Sequence, residues 1–131
     1  MRVATHRVAP AAGDSEPGEL AIFFFGRESG AVGANVERWF AQFTPEPGSA
    51  QPSSRVETLN GIRLTRVSTE GTFASGMPGQ SATPRKSYAL LGAIAEGPEG
   101  NLFFKLTGPR KTVQGAAKQF EAMLRTLARQ Q

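Results

Sequence analysis

The chain has 131 residues, 39% hydrophobic and 20% charged, the size and balance of one globular domain (1-131) able to bury a core. Fifteen Gly and nine Pro make it loop-rich, while the absence of Cys excludes disulfides, thiolate zinc sites and cysteine nucleophiles. The net charge of +4 is uneven, because from Arg85 onward eight basic residues stand against three acidic ones.

Residues 2–8 alternate as a strand, with Val3, Thr5 and Arg7 on one face. They form no apolar signal core, and the apolar run at 20–25 is too short to cross a membrane. The chain as given reads as soluble. A strand pattern that begins at residue 2 is compatible with a leader removed upstream, which would place the protein in the cell envelope or periplasm. After a loop at 10–18, residues 19–25 form a second strand that is apolar on both faces, and so should be covered on both sides. A glycine-rich turn at 26–33 leads to Val36, Trp39, Phe40 and Phe43, whose spacing predicts one amphipathic helix. Pro45 and Pro47 end it.

Residues 55–59 and 62–67 flank Asn60-Gly61, a pair that tolerates positive φ and so predicts a two-residue hairpin turn. The second strand runs on toward Phe73. Residues 74–86, with Met77-Pro78-Gly79 and Thr83-Pro84, form the longest irregular stretch, expected to be protease-sensitive or functional. A second hairpin joins 87–96 to 101–107, and its first strand again hides both faces. The last helix is expected to start with Pro109 in its first position and to bury Val113, Ala117, Phe120, Leu124 and Leu127.

This order predicts an α+β fold: a twisted antiparallel sheet of about six strands sandwiched between two helices, an α/β/α arrangement. Phe24, Phe104, Phe120 and Leu124 are its expected core markers. The order of elements, the Asn60-Gly61 hairpin and the closing run Asn101-Leu-Phe-Phe-Lys-Leu-Thr-Gly-Pro109 before the terminal helix resemble the PsbP-like fold family. The closer likeness is to bacterial members of no assigned activity, often leader-bearing and envelope-associated, in which a strand and glycine turn like Phe24-Phe25-Gly26 precede a helix like the one at 34–39. The resemblance implies an α/β/α fold and a non-catalytic binding or assembly role. It carries over no site, and the metal-binding histidines of plant relatives have no counterpart beyond His6.

Chemistry-bearing motifs are sparse. Gly26, Gly30 and Gly33 precede a helix but match neither phosphate-loop spacing. Asp14, Glu16 and Glu19 lack the regular spacing of a calcium loop. No G-x-S-x-G elbow is present, and His6 is the only histidine base available. Glu96 and Glu99 flank a turn and read as solvated. No cofactor is expected. The basic half lacks the dense stripe and interleaved aromatics of a nucleic-acid binder, so a protein partner is the stronger expectation.

One local conflict singles out a site. Arg110 and Lys111 occupy the first turn of the last helix, where backbone N–H groups already create positive potential. Either a carboxylate from elsewhere in the fold answers them, or this start, with Arg85 and Lys86, receives an anionic group from a ligand or partner. Met77, with Phe73 and Pro78, is the candidate apolar lip of the partner surface. The function expected is a non-catalytic binding or accessory module acting through protein partners. The alternative is a small-molecule or anion-binding protein, possibly an enzyme, with a site near 74–86.

Overall fold

The computed structural model describes residues 2–9, 17–26, 32–59, 61–74, 84–97 and 100–126. Along the chain these form β1 (Arg2–Val8), β2 (Gly18–Gly26), α1 (Val32–Phe40), β3 (Phe43–Thr44), β4 (Ser53–Leu59), β5 (Ile62–Phe73), β6 (Arg85–Gly97), β7 (Gly100–Pro109) and α2 (Arg110–Arg125). All seven strands join one sheet in the order β1-β2-β7-β6-β5, and β4 and β3 both pair with the far side of β5. Every pairing is antiparallel. The fold is α+β as expected, with seven strands in place of six.

The two-faced pattern of the central strands decides the layering. On β6, Ala89, Ala93 and Ala95 pack in a cluster with Val113, Ala116, Phe120 and Leu124 of α2. The alternate residues Tyr88, Leu90 and Ile94 pack with Val36 and Trp39 of α1. Since successive strand residues point to opposite faces, the helices cover opposite sides of the sheet. Trp39 meets Phe103 edge-on, with ring centroids 6.2 Å apart.

Both predicted hairpins are present. Gly61 takes φ +80°, which a tight two-residue turn requires. The turn pairs Leu59 with Ile62 and carries an unbroken register back to Ser53 and Ser68. The second hairpin pairs Gly97 with Gly100 and extends to Tyr88 and Pro109.

Five expectations need correction. Phe43 is buried but is not helical: α1 ends at Phe40, a turn intervenes, and Phe43 pairs with Phe73 as part of β3. Thr44 precedes Pro45, which disfavours helical backbone there and supports the extended conformation. Phe24 is 36% exposed, unlike the buried Phe104, Phe120 and Leu124. It lies on β2, whereas α2 packs chiefly over β6 and β7, so the helix covers Leu20 and Ile22 only in part. Pro109 has ψ 141° and ends β7, so the helix begins at Arg110. Arg85 and Lys86 belong to β6, not to a loop. On α2 the buried stripe includes Thr112 and Ala116, while Ala117 is half-buried. Leu127 lies outside the described residues, as does most of the long irregular stretch, including Met77 and Pro78.

Candidate functional site: a basic cavity on the α1 face

The sequence-predicted residues separate into two places. Lys86 and Arg110 converge on Glu46, in the segment after β3. Its carboxylate accepts a hydrogen bond from the Thr72 hydroxyl (2.5 Å) and another from the Ser87 backbone N–H (3.0 Å). Ser87 is held at φ +56°, an uncommon conformation for a residue with a Cβ. The Thr72 bond and then the Ser87 bond hold the Glu46 carboxyl below the usual carboxylate range, and the charges of Arg110 and Lys86 add smaller contributions. Arg110 also pairs with Glu70 of β5 at 3.5 Å. Glu70 accepts further hydrogen bonds from the Ala50 N–H (3.1 Å) and the Gln114 amide (3.4 Å). Two carboxylates of the fold itself therefore stand at the start of α2, which has no acidic residue in its own first turn. Lys111 is exposed beside them.

Arg85 has a different setting. It lines a cavity of about 380 Å³ on the α1 face, together with Glu19, Phe23, Gln42, Tyr88 and Lys105. The cavity lies beside α1, whose Val36 and Trp39 pack with Phe103 of β7 and Phe23 of β2, and it extends along β2 and β7 toward Glu19 and Thr107. The floor comes from alternation: Ala21 pairs with Lys105 and Glu19 with Thr107, all on the face opposite α2. The wall is aromatic. Phe73 and Tyr88 stack at 5.7 Å with their planes only 8° apart, and Phe43 leans on Phe73 at 4.9 Å.

Lys105 is the central polar group. Its ammonium donates a hydrogen bond to the Gln42 side-chain carbonyl at 2.5 Å. It lies 5.8 Å from the ring centroids of both Trp39 and Phe73, within cation–π range of each. The Gln42 carbonyl and the two ring faces are thus among the groups that orient this half-buried ammonium. Arg85 and Lys105 against Glu19 leave the lining net positive. The arrangement can bind and orient an anionic group.

Sequence reading missed Lys105, Gln42 and Glu46. The available signal was Lys105 itself, a cation on the α1-facing side of a strand otherwise apolar there at Phe103. Its partner Gln42 is 63 residues away in the chain, which no local pattern reveals.

With this geometry established, comparison with other proteins shows the fold alone. A Pseudomonas aeruginosa protein of unknown function, PA94, described as a putative regulator, superposes with a TM-score of 0.67 at 13% sequence identity. The match covers 98% of this chain and 83% of that one. No family model and no curated protein matches the sequence. Among the described residues no helix is long and apolar enough to cross a membrane.

Proposed function

We propose that this chain is a non-catalytic binding module of the PsbP-like type, and that its α1-face cavity receives an acidic group of a protein partner. The observation that carries the reading is Lys105, whose ammonium is oriented over Trp39 and Phe73 in a cavity that Arg85 also lines. Such a site discriminates by charge and by aromatic contact. The sheet with a helix on each face supports the PsbP-like assignment.

A second reading, a small organic anion as ligand, is favoured by the size of the cavity, which is at the low end of small-molecule clefts. One experiment separates the two. Trp39 is the only tryptophan of the chain and forms part of the Lys105 site, so its fluorescence reports occupancy. Titration with a hexaglutamate peptide should give a saturable change that weakens with salt and that hexalysine does not produce. The change should weaken about tenfold or more in Arg85→Ala and Lys105→Met, the loss expected for a charge-assisted contact. Saturation by benzoate but not by the peptide would select the small-ligand reading. No saturable response to either would reject the site.

A further inference from the structure

β4 is an edge strand of seven residues, and among the described residues no strand pairs with its outer side. Natural edges are usually protected by Lys, Pro, bulges or cover. β4 contains neither Lys nor Pro, and its pairing with β5 shows no register shift. Val56 at its centre is 53% exposed, one of two exposed large hydrophobic residues among those described. The opposite edge, β1, also lacks Lys and Pro, but its pairing is interrupted between Arg2 and Ala4, and its two arginines, Arg2 and Arg7, give it one sign of charge where β4 carries both.

The backbone of β4 is poised for pairing at defined residues. In an antiparallel ladder, alternate residues direct both N–H and C=O to the same neighbour. The two-residue turn makes Leu59 and Ile62 a hydrogen-bonded pair, so Leu59, Glu57, Arg55 and Ser53 face β5. Ser54, Val56 and Thr58 therefore direct their backbone groups outward.

We infer that β4 pairs antiparallel with β4 of a second copy of this chain, about a twofold axis through Val56. In that register Val56 meets the partner's Val56, and Ser54 meets the partner's Thr58. Arg55 stands opposite the partner's Glu57, and the twofold axis repeats each contact. All three outward-facing residues then fall at hydrogen-bonded positions, giving about six interchain bonds. The charges fit as well. Arg55 is largely exposed and reaches Glu57 of its own strand at only 3.9 Å, while the other Glu57 oxygen is engaged by Arg66 at 2.7 Å. A self-complementary patch of this kind is what a twofold interface needs. Strand-edge pairing alone buries less than the roughly 1,200 Å² of standard stable interfaces, so the dimer forms reversibly with concentration.

Sedimentation of the full chain from micromolar to millimolar concentration should show a monomer–dimer equilibrium. Val56→Pro removes an outward N–H and leaves the bonds to β5 intact. It should abolish the dimer while keeping the circular dichroism and melting midpoint of the parent. Because the chain has no cysteine, an introduced one reports a single position. Val56→Cys should form a disulfide-linked dimer at least about tenfold faster than Thr58→Cys, whose twin would lie roughly 14 Å away. A parent that stays monomeric throughout overturns the inference, as does a folded Val56→Pro variant that still dimerises. If Val56→Pro fails to fold, the cysteine comparison decides, and equal crosslinking at the two positions overturns the inference.

Discussion

Trp39 rests directly on Gly92: a Cβ at position 92 would stand 2.7 Å from the indole Cζ3 and 2.7 Å from a methyl of Val67. Gly92 is the register partner of both Val67 and Lys105, so the missing side chain makes the bed on which α1 docks beside the cavity. Gly92→Ala should displace the indole and destabilise by about 1–3 kcal/mol, the usual cost of overpacking. Urea denaturation measures the loss, and a shifted Trp39 emission maximum would report the displacement. Unchanged stability and emission would mean that α1 moves freely over the sheet.

Arg66 of β5 clamps α2 to the sheet through Glu121. Its guanidinium makes two hydrogen bonds to that carboxylate, one at 2.7 Å, and a third to Glu57 at 2.7 Å. The Arg66 bonds hold the Glu121 carboxyl below the usual carboxylate range, against the opposing effect of burial. Glu46 is depressed in the same direction, chiefly by Thr72 and Ser87. A depressed folded-state pKa contributes stability that is present above the unfolded value, about 4.3 for Glu, and is lost as pH falls through the folded value. The melting midpoint should therefore fall with pH below about 4.3, and Glu121→Gln should flatten that fall. At neutral pH Glu121→Gln should cost about 1–2 kcal/mol, since solvent partly screens the pair.

The two exposures on the α2 side of β2 and β7 predict opposite mutational behaviour. Phe104 is 4% exposed and packs among Leu64, Val113 and Phe120, so Phe104→Ala should cost about 3–5 kcal/mol. Phe24, at 36% exposed, has already kept much of its contact with water, and Phe24→Ala should cost about 1 kcal/mol or less. Thermal or chemical denaturation of both variants tests the contrast. Comparable losses would mean that Phe24 is covered in solution.

What the sequence made legible was local. Asn60-Gly61 encodes its hairpin within a few residues, and the double-faced apolar pattern of β6 encodes cover on both sides. Phe43 misled because it continues the helical spacing of Val36 and Trp39 although the chain has already turned extended before Pro45. Phe24 misled because strand alternation identifies a face without revealing how far a helix reaches across it. The site was least legible. Lys105 meets Gln42, and Arg66 meets Glu121 across 55 residues, so each pairing depends on the folded topology and leaves no mark in spacing or composition.

The start of α2 gives a final test, because Arg110 is already answered from within the fold. Glu70 pairs with Arg110 and accepts from Ala50 and Gln114, so it ties the segment after β3 to the helix. Arg110→Ala should therefore lower stability by about 0.3–1 kcal/mol, the range for partly exposed ion pairs. Glu70→Gln weakens three contacts at once and should cost more, about 1–2 kcal/mol. Lys111 is exposed in a turn where the helix dipole disfavours cations, so Lys111→Ala should leave stability equal or slightly higher. Denaturation of the three single variants gives this ranking. Hexaglutamate binding should be unchanged in Arg110→Ala/Lys111→Ala, because the cavity is lined by Arg85 and Lys105 instead. Weakened binding in the double variant, with Arg85→Ala and Lys105→Met unaffected, would move the acidic-group site from the α1 face to the start of α2.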